Sequence, residues 1–200
     1  FFAVADCTGH GVPGAMVSVV CSNALSKALL EEGITETGKL LERVREIVIE
    51  RFAKSGGVRD GMDIALCSLK LSESSEFSES YATLQYSGAN RPLIIVRKGE
   101  LIKIKPDKQP IGKFFENRPF ATHDIPLQKN DMIYLFSDGY ADQFGGENGK
   151  KFMTKQLYEL FAQIANKPLD VQKNILKETL RAWQGNYTQV DDICIFGVRV

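Results

Sequence analysis

Histidine is scarce in this chain of 200 residues, with two in all, and the four cysteines lie far apart with no CxxC spacing. A zinc site built on Cys7 and His10 lacks two further soft ligands, because the other histidine, His123, sits in a different segment. Cys7, Cys21, Cys67 and Cys194 fall in apolar stretches and read as buried free thiols of a reducing compartment, which points to the cytoplasm. Neither charge is in excess: Lys plus Arg and Asp plus Glu each number 25, so no global basic surface argues for nucleic acid. No apolar run approaches membrane-spanning length, and nothing resembles a signal peptide. G-x-S-x-G is missing and Ser137 has no evident histidine partner, so no serine nucleophile is visible. No repeat or linker divides the chain. What is present is an ordinary globular composition, 44% hydrophobic and 25% charged, at a length suited to one domain over residues 1–200.

The patterning reads as α+β. FFAVA is a buried strand, and apolar positions Met16, Val19, Val20, Ala24, Leu25, Ala28 and Leu29 predict a helix from Pro13 to about Glu32, stopped at Gly33. Leu40, Leu41, Val44, Ile47, Val48 and Phe52 form the stripe of a second helix, ended by SGG at 55–57. Strands follow at DIALCSLKL, YATLQYSG, PLIIVR and LIKIK, with SESSEFSES as a polar loop and KGE as a hairpin turn. Phe120 to Ile125 and MIYLF add two more strands, Thr154–Ala165 and Val171–Trp183 two helices, and ICIFGVRV a closing strand. Runs of strands between helix pairs suggest antiparallel sheets with helices outside, not βαβ alternation. Because the chain opens inside a strand, it is expected to be part of something longer.

The turn GHGVPG matches G-x-G-x-x-G between a strand and a helix, as a dinucleotide fingerprint does. Glu31 and Glu32 stand at a suitable distance for a ribose contact, but on a helix end, and another helix follows, so the βαβ unit fails. Asp6 would also repel a pyrophosphate. A P-loop is excluded by Ala15 and Met16, where Lys and Ser/Thr are required. A turn with a helix-capping aspartate is the plain alternative.

Three aspartate positions change the balance. Asp6 ends FFAVA, Asp138 ends MIYLF ahead of Gly139, and Asp191 with Asp192 precedes the last strand. If those strands are neighbours, the carboxylates converge on one sheet edge, and clustered like charges call for a cation. Oxygen-only ligands select hard ions, Mg²⁺ or Mn²⁺. A pair of such ions sharing carboxylates and a water can attack a phosphoryl group without any side-chain nucleophile. The alternative stays open: Asp-Gly is common turn chemistry, and Asp-Asp can form a solvated entry turn.

ADCTGHGVPGAM, LFSDGYADQFGG and VDDICIFGVRV resemble, in order, the three signature segments of the SpoIIE-type branch of the PPM (PP2C-like) metal-dependent serine/threonine phosphatases. YSGANRPLIIVRKGELIKIKPDKQPIGKF resembles the middle region of that branch, so the likeness spans essentially the whole chain. It implies two packed antiparallel β-sheets flanked by helix pairs, a four-layer sandwich, and hydrolysis of phosphoserine or phosphothreonine with two Mn²⁺ or Mg²⁺ ions. By position, Asp6 would bridge both ions with the Cys7 backbone carbonyl as a further ligand, and Asp138 and Asp191 would complete the acidic set. Asp192 is the second choice within its pair, and Gly139 gives the close approach that SDG needs. His10 is read as a surface or capping histidine, since its spacing from Asp6 differs from the D-G-H-G of eukaryotic-type relatives. Asp63 and Asp142 lie near the motifs and equally suit capping.

The same resemblance implies an earlier strand with an S-G-D-like motif and another acidic ligand, after which this chain begins. The expectation is an N-terminally truncated domain with an unpaired strand edge and weakened metal binding. It further implies an upstream sensor region in the same polypeptide and a phosphorylated regulatory partner, such as an anti-sigma-factor antagonist. A homodimer is among the implied partners, nucleic acid and membrane contact are not, and the location is the cytoplasm, in a larger sensor protein. In that branch two such helices, here Pro13–Glu32 and Leu40–Phe52, can act as a switch that completes the metal site on dimerisation or upstream signalling; ordinary core packing is the plain alternative for most of their apolar positions. The alternative is a degenerate or switch-gated module that binds a phosphoprotein without turnover.

Overall fold

The computed structural model describes residues 1–9, 11–53, 60–71 and 82–200. In chain order these form β1 (Phe2–Cys7), α1 (Gly11–Ser26) running on into a π-helical turn (Lys27–Glu31), α2 (Thr37–Ala53), β2 (Met62–Leu71) and β3 (Ala82–Ala89). Then come β4 (Leu93–Arg97), β5 (Glu100–Ile104), β6 (His123–Leu127), β7 (Met132–Phe136) and the short α3 (Gly139–Asp142). The hairpin strands β8 (Phe144–Gly145) and β9 (Lys150–Lys151), helices α4 (Thr154–Ile164) and α5 (Leu169–Gln184), and β10 (Ile195–Arg199) complete the chain. Two compact units result, Phe1–Leu93 with Ile104–Leu127, and Ile94–Lys103 with Gln128–Val200.

The first unit holds a sheet of order β1-β2-β3-β6, antiparallel throughout. Ile64 to Cys67 of β2 are buried on both faces, as a central strand requires. On α2, Leu40, Leu41, Val44, Ile47 and Val48 are buried at helical spacing against Ile64 and Leu66, as the sequence predicts. Burial of each such side chain stabilises the unit by about 1.5–3 kcal/mol before entropy is charged.

Helix α1 differs from expectation. Its buried row is Gly14, Val17, Cys21 and Ala24, whereas Val12, Met16 and Val19 are exposed at 78%, 63% and 56%. Apolar residues surround this helix, so their spacing alone does not say which face turns inward. By length and composition, Gly11–Glu31 is also long and apolar enough to cross a membrane, contrary to the expectation from the sequence. Interspersed Ser, Asn and Gly hide that stretch as a run, and its inner row packs with α2 in the core of the first unit.

The second unit holds a sheet of order β10-β7-β4-β5. Every residue of β7 is buried, and the Tyr134 ring stacks on Phe161 of α4 with centroids 4.1 Å apart. Leu176, Leu180 and Trp183 of α5 pack against the same cluster. The α+β class with antiparallel sheets and helices is therefore as expected. Element ends are not all so: the strand expected at Phe120–Ile125 runs His123–Leu127, because Phe120 enters the core of the first unit. The last strand begins at Ile195, two residues late, and Cys194 is exposed. SGG and SESSEFSES lie outside the described residues.

Candidate metal centre

Antiparallel pairing of β1 with β2 sets Asp6 directly opposite Asp63. Like charges in that position cost stability unless a cation joins them. Arg91 supplies one from the turn between β3 and β4. Its Nη2 donates to Asp6 Oδ2 at 2.8 Å and lies 3.5 Å from Asp63 Oδ2, while Asn90 Nδ2 donates to Asp63 Oδ1 at 2.8 Å. The side chains of Arg91 and Asp6 are only 13% and 18% exposed, so the pair is largely withdrawn from solvent.

The turn is built to hold that arginine. Asn90 takes a left-handed φ of 59°, which asparagine tolerates. Its N–H donates to Asp107 O at 2.9 Å, and Tyr86 Oη donates to Arg91 O at 2.6 Å. Gly88 leaves the space: a Cβ there would overlap the Tyr86 hydroxyl and come within 2.6 Å of Arg91 O.

After Cys7 the chain turns sharply. Thr8 N donates to Gly61 O at 3.0 Å and Gly61 N returns a bond to Thr8 Oγ1 at 3.1 Å. Gly9 is left-handed, and a Cβ on Gly14 would stand 2.6 Å from Gly9 O, so the turn packs directly on the first turn of α1. The Cys21 thiol donates to Cys7, which pulls the Cys7 pKa down to about 7 against burial and the Asp6 charge; Ser18 assists. The same contact, with burial, pushes the Cys21 thiol well up. Since β1 and β2 are antiparallel, the parallel βαβ unit of a dinucleotide site is excluded.

In the second unit Asp138 follows β7 and begins α3, yet its carboxylate makes no capping bond to that helix. Ser137 Oγ donates to Asp192 O at 2.8 Å and accepts from Cys194 N at 2.9 Å, and Ser137 N donates to Cys194 O at 3.0 Å. These bonds bring the Asp191–Asp192 segment alongside the end of β7. Gly139 makes the approach possible, because a Cβ there would overlap the Asp192 carbonyl. Asp191 Oδ1 accepts from Asp192 N at 2.7 Å, and both residues are exposed. Asp142 is engaged elsewhere, 2.8 Å from Lys151 Nζ at the surface.

Asp6, Cys7 and Asp63 thus belong to the first unit, and Asp138, Asp191 and Asp192 to the second. Among the described residues no three His, Cys, Asp or Glu side chains are gathered closely enough to hold an ion. His10 lies outside the described residues. The donor chemistry nevertheless fits a hard divalent ion: the candidates are carboxylates and one backbone carbonyl, and in the first unit two carboxylates already converge on a cationic nitrogen. Arg91 was not singled out from the sequence. The available signal was Asn-Arg-Pro directly after a strand, a turn that carries a cation.

The family described as Stage II sporulation protein E (SpoIIE) matches residues 1–200. No curated protein matches the chain. Among solved structures it is similar to the SiaA-PP2C domain of Pseudomonas aeruginosa, with 27% identity and a TM-score of 0.83 over 99% of this chain and 74% of that one. It is similar in fold to the RsbU and RsbW domains of Rv1364c from Mycobacterium tuberculosis, at 22% identity and TM-score 0.71 over 98% and 50% of the two chains. The PP2C phosphatase domain of SpoIIE from Bacillus subtilis, with a fragment of its regulatory domain, gives 17% identity and 0.69 over 99% and 53%. The chain thus spans about half the length of the latter two, 50% and 53%.

Proposed function

Because the chain belongs to the SpoIIE family of PP2C-like phosphatases, we propose that it hydrolyses phosphoserine or phosphothreonine on a signalling phosphoprotein, using two Mn²⁺ or Mg²⁺ ions. The observation that carries this is the family match over residues 1–200, with Asp6 at the end of β1 and Asp138 just after β7. In this proposal the metal-holding groups are Asp6, the Cys7 carbonyl, Asp138 and Asp191, with Asp192 the second choice within its pair. When bound, such ions acidify a coordinated water and neutralise charge on the phosphoryl oxygens. The protein's part is to hold its carboxylates in place. Ser137 ties the Asp191–Asp192 segment to the end of β7, and Gly139 keeps the two close.

The proposed substrate is a phosphorylated regulatory protein, of the kind an anti-sigma-factor antagonist represents, acted on in the cytoplasm by a single phosphatase domain within a larger sensor polypeptide. Support comes from relatives described as a cell-fate determinant and as RsbU with RsbW. A homodimer fits the exposed row Val12, Met16 and Val19 on α1, and α1 with α2 would be its switch. Zero net charge argues against nucleic acid as a partner.

The test is Mn²⁺-dependent phosphate release from a phosphoserine protein, with Asp138→Asn beside the wild type. Release that requires the metal and disappears in the variant supports hydrolysis. A second reading is a module that binds a phosphoprotein without turnover. Arg91 on the Asp6 carboxylate favours it, since that oxygen is already engaged. Phosphopeptide binding with no release under any divalent ion would establish this second reading.

A further inference from the structure

The functional proposal treats Asp6 as a metal ligand, and the geometry raises a conflict. An oxygen of that carboxylate, Oδ2, accepts from Arg91 Nη2 at 2.8 Å, and the same nitrogen is 3.5 Å from Asp63 Oδ2. A guanidinium nitrogen and a divalent ion are both cations, and a carboxylate oxygen cannot keep a 2.8 Å N–H···O bond and take a short metal bond in the same direction.

We propose that Arg91 is a built-in competitor for the metal: its guanidinium occupies the point on which Asp6 and Asp63 converge, and an ion enters only by displacing it. This rests on the metal-dependent reading above.

Three features suit Arg91 to that role. It sits in the turn after β3, whose backbone is fixed by Asn90 N to Asp107 O and by Tyr86 Oη to Arg91 O, so the side chain can leave without the turn moving. Asn90 holds the other oxygen of Asp63, which keeps that carboxylate oriented once the guanidinium departs. The guanidinium offers carboxylates a planar fork with delocalised positive charge, so a cation must bind them more strongly to take its place. The carboxylates are thereby neutralised without metal, and the ion must outcompete a tethered charge.

The sign of one substitution separates this from a supporting role. If Arg91 competes, Arg91→Gln removes both the rival cation and its repulsion of the incoming ion, and binding tightens. If Arg91 only props the carboxylates in place, the same change loosens them and binding weakens. Mn²⁺ titration of the protein, followed by the electron paramagnetic resonance signal of the free ion, reads this directly. The expected result is a dissociation constant lower by about tenfold in Arg91→Gln. The stabilisation that saturating Mn²⁺ confers on thermal unfolding should rise in parallel. Equal or weaker binding overturns the proposal.

Arg91→Lys serves where the glutamine variant does not fold. It keeps the charge but loses the planar fork. Affinity above that of wild type is expected, and affinity below it again overturns the competitor role. Absence of Mn²⁺ binding in wild type and variants alike overturns the metal-dependent function and this inference with it. Tight, unchanged binding in all of them overturns this inference alone.

Discussion

Asp6 and Asp63 face each other across the β1–β2 ladder, and one nitrogen of Arg91 lies against both. Two opposed carboxylates are a strained arrangement that one cation relieves. Removing the cation should therefore cost more than removing a carboxylate. Urea unfolding of the metal-free protein should show Arg91→Gln destabilised by about 1–3 kcal/mol, and Asp63→Asn by less. In the double variant, part of the loss should return, because the repulsion is gone. Strict additivity of the two changes would contradict the coupling.

Ser137 is buried and holds the 192–194 segment by three hydrogen bonds, two of them through its hydroxyl. Ser137→Ala leaves Cys194 N without that acceptor. A loss of about 1–3 kcal/mol is expected by chemical denaturation, with faster amide exchange at Cys194. Unchanged exchange there would mean that the segment is held by other contacts.

Gly139 tests position apart from chemistry. Gly139→Ala places a methyl group on the Asp192 carbonyl and forces Asp191–Asp192 away from the end of β7. If those aspartates hold metal, phosphate release should fall at least about tenfold, since small misplacements are costly in catalysis. Asp142→Asn, at the exposed ion pair with Lys151, should leave release unchanged.

The Cys7 thiol should ionise early. Alkylation by iodoacetamide in metal-free Cys194→Ser protein should be half-maximal near pH 7, where an ordinary thiol requires about 9. Cys21→Ala removes the principal donor and should move the midpoint upward. Because folding depresses this pKa, the Cys7 share of stability is complete above 9 and is lost as pH falls through about 7. A midpoint unaffected by Cys21→Ala would contradict the thiol–thiol hydrogen bond.

Periodicity was sufficient where one face is clearly apolar. The α2 stripe from Leu40 to Val48 and the strand MIYLF are where the sequence puts them, because burial is the only way to satisfy those patterns. It failed on α1, whose apolar residues surround the helix, and at β8 and β9, two residues each, too short for any period. Asp6, Asp138 and Asp191 are visible in sequence as carboxylates near strand ends. That Asp6 faces Asp63 is a matter of register, set by pairing between residues far apart in the chain. Asn-Arg-Pro marks a turn that carries a cation, but the importance of Arg91 comes from where the β3–β4 turn delivers it.

The β4–β5 hairpin has a consequence for how the polypeptide is made. It is inserted between β3 and β6 of one sheet but belongs to the other, so the units are interleaved along the chain. During synthesis the hairpin leaves the ribosome before β7, the strand with which β4 pairs, has been translated. The first unit likewise waits for β6, whose last residue is Leu127, before its sheet is whole. No single cut yields two intact units: scission at 93 strips β6 from the first, and scission at 127 strips the hairpin from the second. Gene fission or exon shuffling at one point could not separate them, so any change in one half has to be tolerated by a chain that must finish both.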